Sequence, residues 1–486
     1  MENVFEGLKP DIIWKNFEAI CSIPHTSKNE SQIINFMLDF GKKHNLETLK
    51  DGAGNILFRK PAKKGYENRK TVALQGHLDM VPQKNSDVKH DFLTDPIKPY
   101  IDGDWVKAKG TTLGADNGLG LAAAMAVLES KDLDHGPLEV LFTVDEETGM
   151  TGAFGLKADF LKSDIMINLD NEEEGHLCIG CAGGIDTNIK VPFEVEKYPD
   201  GHISYQLKLT GLSGGHSGCD IHLGRANAIK LIVRILCRLN QSFYLRLFSI
   251  EGGTLRNAIP REASATLAIP QSDESGFVMS FHEMSMILKE EFRKTDPNLF
   301  ISLSPCNSPN HIISKNRSDS LLNALNACVN GVVRMNPDVP DAVQSSSNLG
   351  VLLTQEKYFD IRTLQRSSKE GAKINVAGMV KSCFQLIGAE IEQTGGYPGW
   401  ELDVNSGVLA LMKETYQKKF RKPALESLTH GGLECGLIGG LYPKMEMISF
   451  GPTIQFPHSP DEKLHIPSVE KFWIFLTEVL KKIPPR

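Results

Sequence analysis

The chain of 486 residues has no apolar run approaching the roughly 18 residues that a membrane-spanning helix needs. The longest candidate, LGLAAAMAVL at 119–128, is too short, so no membrane partner is expected. Positive charge is not in excess either: 53 Lys and Arg face 60 Asp and Glu, a formal net charge of −7. Nucleic-acid binders usually carry a basic stripe, so a nucleic-acid partner is excluded as an expectation. The opening MENVFEGLKPD is acidic and lacks an apolar h-region, so no secretory signal is visible. The nine cysteines are odd in number and scattered, which suits reduced thiols in a cytoplasmic protein. Cys178 and Cys181 form a C-x-x-C pair with no second pair nearby and no basic residue between them, so they read as small buried residues. With 41% hydrophobic and 23% charged residues, long disordered or collagen-like content is excluded and a sizeable core is expected.

At about 150 residues per domain, the length suggests two to four domains. The first 180 residues read as α/β. DIIWKNFEAICSI and SQIINFMLDFGKKHN have the apolar spacing of amphipathic helices, and NGLGLAAAMAVLES is a small-residue helix suited to close packing on a sheet. TVALQGHLDMV, LEVLFTV and SDIMINL read as strands buried on both sides. Strands alternating with helices predict a mixed, mostly parallel sheet with helices on both faces. From about residue 186 the order changes to two α+β units in tandem, and TGGYPGW at 394–400 reads as a linker. The final block, with SGVLALMKETYQKKF, KMEMISF and SVEKFWIFLTEVLKKI, resumes the α/β style. The economical organisation is an α/β domain formed by residues 1–185 and 396–486, with residues 186–395 inserted as an α+β domain of two units.

Five short segments concentrate metal-ligand residues. QGHLDM at 75–80 offers His77 and Asp79, and TTLGADNGLG at 111–120 offers Asp116. VDEETG at 144–149 offers Glu146 and Glu147, INLDNEE at 167–173 offers Asp170, and QFPHSPDEKL at 455–464 offers His458. His77, the Glu146–Glu147 pair, Asp170 and His458 follow predicted strands, and Asp116 precedes a helix. In an open α/β sheet, sites form outside the carboxyl ends of the strands, so segments far apart in sequence can converge on one edge. Carboxylates meeting there would repel one another, and one would protonate unless a cation intervened. Two imidazoles with several carboxylates suit Zn²⁺, with Mn²⁺ or Co²⁺ less distinctive. Asp79, two residues beyond His77, can reach the imidazole N–H and fix the ring. Asp116 has two oxygens and could bridge two metals; of Glu146 and Glu147, one can bind metal while the other moves a proton.

These motifs resemble those of the co-catalytic zinc peptidases of the aminoacylase/carboxypeptidase clan. ADNGLG, VDEETGMTGA, INLDNEEEG, GGHSG and THGGLECG more closely resemble its aminoacyl-histidine dipeptidase (peptidase D, carnosinase-type Xaa-His) branch, over nearly the whole chain. The resemblance implies that His77 and Asp170 bind one zinc, Glu147 and His458 the other, and Asp116 both. It implies Asp79 as the orienter of His77 and Glu146 as general base. The insertion corresponds to the family's lid. Within it, the resemblance implies His216 of SGGHSG as a catalytic partner that reaches the metal site when the lid closes. It also implies Asn257 of TLRNAIP and Arg366 of LQRSS as substrate-binding residues, with Arg362 a competing arginine. His430 and Glu434 of THGGLECG would line the substrate pocket. His222, Arg225 and Asn227 read plainly as a loop entering a helix, with Asn227 near its N-terminus.

The expectation is therefore a metallo-dipeptidase with two divalent ions, most simply Zn with Co or Mn as alternatives. It would hydrolyse Xaa-His dipeptides such as β-alanyl-histidine, and a homodimer is possible. A broad dipeptidase, a tripeptidase or an amidohydrolase of the same clan is the nearest alternative. A non-catalytic binding protein or a metal store fits less well, because the base and ligands are present and a store needs no lid.

Overall fold

The strands Val72–His77, Leu138–Thr143 and Ile165–Asn168 are buried along their entire length. That is the signature of strands covered on both faces. The computed structural model describes residues 4–401, 403 and 406–486. These divide into two compact units: Met1–Gly180 with Trp400–Leu428 and Leu433–Arg486, and Cys181–Gly399 with Thr429–Gly432. Among the described residues, no helix is long and apolar enough to cross a membrane.

The first unit is built on an eight-stranded mixed sheet. Its order is Glu47–Lys50, Ile56–Lys60, Leu138–Thr143, Val72–His77, Ile165–Asn168, Glu446–Ser449, His176–Cys181 and Leu425–Thr429. The four strands from Leu138–Thr143 to Glu446–Ser449 run parallel, so their carboxyl ends lie on one edge. The helix Ala115–Glu129 is apolar all round and buried from Asn117 to Leu128, as a helix without a solvent face must be. It packs on Val72–His77 and on the helix Asp11–Cys21, which contributes Ile13, Trp14, Phe17 and Ile20 to the same core. A four-stranded side sheet joins Ile454–Gln455, Lys463–His465, Trp105–Ala108 and Pro99–Asp102. Cys178 and Cys181 are buried in the strand His176–Cys181.

The second unit has one nine-stranded sheet whose main path is two copies of the same antiparallel βαββαβ pattern. One copy runs through His202–Thr210, helix Ala228–Asn240, Arg246–Gly252, Ala263–Pro270, helix Glu274–Glu291 and Phe300–Pro305. The other runs through Gly183–Pro192, helix Lys315–Ala327, Val343–Thr354, Tyr358–Ser367, helix Glu370–Gln385 and Glu390–Tyr397. In each copy the strands are ordered fourth, first, third, second, and the copies meet where Gly252 pairs with Leu352. The sequence order is nested rather than tandem: Gly183–Pro192, the first strand of the second copy, precedes the whole first copy. Residues 185 and 186, between which the sequence places a boundary, both lie inside this strand. The TGGYPGW signal overlaps the end of the strand Glu390–Tyr397. TLRNAIP contributes the two-residue strand Ala258–Ile259, which pairs with Gly215–His216.

Candidate active site

Three of the parallel strands deliver functional groups directly at their carboxyl ends. Val72–His77 ends on His77; Leu138–Thr143 runs into Glu146 and Glu147; Ile165–Asn168 runs into Asp170. Asp116 comes from the first turn of the helix Ala115–Glu129, where its own backbone is extended (φ −84°, ψ 109°). His458 lies in the loop between Ile454–Gln455 and Lys463–His465.

Asp116 stands between two groups. Its Oδ1 is 3.2 Å from His77 Nε2, which is also 3.3 Å from Asp170 Oδ1. Its Oδ2 is 3.1 Å from His458 Nε2, which is 2.8 Å from Glu147 Oε1. The triads His77–Asp116–Asp170 and Asp116–Glu147–His458 each offer donor atoms within 4.8 Å of one another, as do His77, Glu146 and Glu147. Each triad supplies one imidazole nitrogen and two carboxylates, with Asp116 common to both, which fits divalent ions such as Zn²⁺ or Mn²⁺.

The supporting contacts fix these groups. His77 Nδ1 lies 3.0 Å from the Asp79 carbonyl and 3.4 Å from its carboxylate, which directs Nε2 toward Asp116 and Asp170. The Asp79 carboxylate also accepts from the Glu146 and Glu147 backbone N–H groups, at 2.9 and 3.2 Å, and from the Ser27 hydroxyl at 2.8 Å. Burial raises the Asp79 pKa, but the His77 ring and these donors outweigh it and bring it down to about 2. Asn117 donates to Asp170 Oδ1 at 2.6 Å and to the Leu169 carbonyl at 2.8 Å. Its amide occupies space left by two glycines: a Cβ at Gly76 would stand 2.3 Å from Asn117 Oδ1, and one at Gly120 2.5 Å from it.

The electrostatics are those of crowded buried carboxylates. Burial, with the Asp116 charge, raises Glu147 to about 7; burial, with Asp116 again contributing, raises Asp170 to about 6. Glu146 is also pushed well above the carboxylate range by burial, with Glu147 and Asp170 adding to the shift. Burial opposes the charged form of His458, yet Asp116 and Glu147 raise its pKa to about 11. Unlike-charge partners and crowded like charges are the conditions that bound cations reconcile.

Three carboxylates that the sequence reading passed over join this site. Burial and the neighbouring Asp116 and Asp170 charges raise Glu172 to about 9. Glu30 accepts from the Asp145 backbone N–H at 3.0 Å and falls in a buried group with Asp79 and Asp145. Glu462 is only 2% exposed and accepts from backbone N–H groups around Asp116. Glu172 was detectable as the acid following LDN; Glu30 and Glu462 carry no local signal.

THGGLECG, expected to line one pocket, is divided between the two units. Glu434 belongs to the first, where Thr143 Oγ1 and Gln75 Nε2 each donate to its Oε2 at 2.6 Å and Oε1 has no hydrogen-bond partner among the described residues. Burial raises its pKa to about 8. His430 belongs to the second unit and bonds Ser346 Oγ through Nε2 at 2.7 Å. Burial, then the Arg366 charge, lowers its pKa to about 3.

In that second unit, Arg366 gathers the other sequence candidates. It is buried, donates to Tyr397 Oη at 3.0 Å and Ser217 Oγ at 3.4 Å, and lies 3.5 Å from His216 Nε2. The Ser217 backbone N–H donates to the Asn257 carbonyl at 2.8 Å. His216 Nδ1 accepts from the Gly218 and Cys219 N–H groups at 3.3 and 3.1 Å. Arg362 is instead half exposed and pairs with Asp360 at 2.7 Å. Tyr397 has no motif that marks it in the sequence.

Residues 73–482 match the family described as "Peptidase family M20/M25/M40", and the chain belongs to that peptidase family. The cytosol non-specific dipeptidase of Escherichia coli K12 is 48% identical over 480 residues, covering 99% of each chain. The crystal structure of aminoacylhistidine dipeptidase from Vibrio alginolyticus is 46% identical with a TM-score of 0.90, covering 99% of this chain and 98% of that one. A tripeptidase from Staphylococcus aureus, 14% identical with a TM-score of 0.58 over 98% and 99% of the two chains, shares the fold.

Proposed function

We propose that this peptidase is a two-metal dipeptidase of the cytosol that hydrolyses Xaa-His dipeptides such as β-alanyl-histidine. The observation that carries the metal reading is Asp116, whose two oxygens face the His77–Asp170 pair and the His458–Glu147 pair separately. The dipeptide reading draws on two full-length relatives, both named dipeptidases.

His77 and Asp170 would hold one divalent ion, Glu147 and His458 the other, and Asp116 would serve both. When bound, the two ions polarise the scissile carbonyl and lower the pKa of an attacking water. Glu146 takes the proton of that water and returns it to the leaving amine. It is the free member of the glutamate pair: Glu147 meets His458, whereas the Glu146 carboxylate has no ion pair or hydrogen bond among the described residues. Asp79 orients His77 from behind and, by accepting the Glu146 and Glu147 N–H groups, sets the turn that presents both glutamates. Of the second unit's polar group, His216 offers Nε2–H to the oxygen that gains charge in the transition state, and Arg366 binds the substrate carboxylate. Asn257 and His430 contribute to substrate binding in the second unit, and Glu434 does so in the first.

The E. coli relative is named non-specific, which favours a broader dipeptidase as the second reading. Metal-loaded protein with a panel of β-alanyl-histidine, other Xaa-His dipeptides, Xaa-Leu dipeptides, tripeptides and N-acyl amino acids tests both. Preference for Xaa-His supports the first reading, and even rates across dipeptides support the second. Cleavage confined to tripeptides or N-acyl amino acids refutes both.

A further inference from the structure

The turn that carries Asp116 is closed by a carboxylate from the far end of the chain. Glu462 Oε2 accepts from the Leu113 and Gly114 backbone N–H groups at 2.7 and 3.0 Å. Its Oε1 accepts from Ala115 at 2.8 Å and, more weakly, from Asp116 at 3.4 Å. Gly114 is in the left-handed region (φ 70°, ψ 29°), and this turn aims four successive N–H groups into one concavity. Such a nest at a helix start favours an anion. Glu462 supplies that anion from within the protein at 2% exposure. It lies four residues beyond His458, whose Nε2 is 3.1 Å from Asp116 Oδ2. One side chain therefore ties the loop bearing Asp116 to the loop bearing His458.

We propose that Glu462 is a positioning residue of the metal centre: by binding the N–H groups of residues 113–116 it sets the Asp116 carboxylate between the two ion sites. This rests on the reading that Asp116 serves both ions. Two carboxylate oxygens suit this place because all four facing groups are donors. Gln at this position has nearly the same volume, but its amide NH₂ would face N–H groups and leave buried donors unpaired. In the sequence, the turn acids of PDEKL give no hint of this role; the contact closes across 346 to 349 residues.

The test uses the full-length chain, stripped with a chelator and titrated with Zn²⁺ by calorimetry, comparing wild type, Glu462→Gln and Asp116→Ala. Glu462→Gln, folded by circular dichroism, is expected to bind at least one ion about 10-fold to 100-fold more weakly, as loss of an outer-shell partner does. Its kcat should fall in step, with KM nearly unchanged. Wild-type affinities for both ions and wild-type kcat in Glu462→Gln overturn the proposal, even if its melting temperature falls, since a purely structural role would show that pattern. If Asp116→Ala loses ions and Glu462→Gln does not, the proposal alone fails. If Asp116→Ala binds two ions with wild-type affinity, the underlying reading of Asp116 fails instead. Should Glu462→Gln not fold, Glu462→Asp keeps the charge but is one methylene shorter. A several-fold loss of Zn²⁺ affinity in that variant supports the proposal, and wild-type affinity overturns it.

Discussion

Asp116→Ala isolates the feature on which the metal reading depends. The substitution removes one of three donors from each triad at once, because each Asp116 oxygen faces a different imidazole, at 3.2 and 3.1 Å. Two effects oppose each other. Losing one carboxylate relieves repulsion with Glu147 and Asp170, both of which its charge pushes upward. It also loses attraction to two dications. At an effective dielectric of about 20, unit charges about 4 Å apart interact by roughly 4 kcal/mol, and a dication doubles that figure. Two lost double-charge attractions outweigh two relieved single-charge repulsions, so affinity must fall. Removing an outer-shell partner typically costs about 10-fold to 100-fold in metal affinity; removing a shared ligand should cost at least about 100-fold at both sites. The assay is Zn²⁺ titration of the stripped protein, with metal content measured by mass spectrometry after dialysis. His458→Ala is the comparator and should empty only the Glu147–His458 site. Loss of a single ion from Asp116→Ala, with the other held at wild-type affinity, would refute the shared-ligand argument.

The remaining expectations concern the base, the second unit and a buried carboxylate. Glu146→Gln should retain both ions yet lose turnover by about 10²-fold to 10⁴-fold; loss of metal in parallel with rate would make Glu146 a ligand instead. His216→Ala should leave metal content intact and lower kcat by roughly 10²-fold or more, as removal of an oxyanion donor does. Equal weakening of a ground-state dipeptide analogue and a phosphinate would make it a substrate holder. Glu434 has a folded pKa of about 8 against its usual 4.5, so folding favours the protonated form. That contribution is fully present below about 4.5 and lost as pH rises to about 8. Urea unfolding of chelator-treated protein should therefore show stability declining over this window, and Glu434→Gln, which keeps the acceptor oxygen, should flatten the decline; an unchanged profile in the variant excludes Glu434 as its source.

The parts of the site that were legible in sequence are those fixed by local rules. His77, Glu146 with Glu147, and Asp170 each follow an apolar strand within a few residues, so parallel pairing alone carries them to one edge. Asn227 was legible for a similar reason: it caps the helix Ala228–Asn240, accepting from the Ile229 and Lys230 N–H groups. What was hidden depends on contacts that sequence spacing does not encode. Glu462 looks like a solvated turn acid until its partners some 350 residues away are in place. The nested order of the second unit was hidden because Gly183–Pro192 is separated from its next copy-mate by a complete domain-sized module. THGGLECG reads as one motif, yet the division between the units falls inside it.

His458 shows why strand order alone does not build this site. The last strand of the main sheet before it, Glu446–Ser449, lies beyond Ile165–Asn168 in that sheet and two positions from Val72–His77. Its partner Glu147 follows Leu138–Thr143, on the opposite side of Val72–His77. A side chain at the end of Glu446–Ser449 would have to cross three strand spacings, roughly 14 Å at about 4.8 Å each, to reach Glu147 beyond the end of Leu138–Thr143. The chain solves this with the side sheet. After Glu446–Ser449 it enters Ile454–Gln455 and returns through Lys463–His465, which pairs with Trp105–Ala108 just upstream of Asp116. Lys463 is held with its ammonium 4.2 Å from the centre of the Trp105 ring. The intervening loop places both Phe456 and His458 at positive φ, 55° and 58°, a conformation that costs of order 1–3 kcal/mol per residue and persists only where its surroundings enforce it. The paired strands hold the loop's two ends and Glu462 holds its last turn against residues 113–116. Positive φ at His458 thus accompanies a group that the parallel strands do not deliver directly, and Asp145, next to Glu146 and Glu147, is likewise at positive φ, 54°.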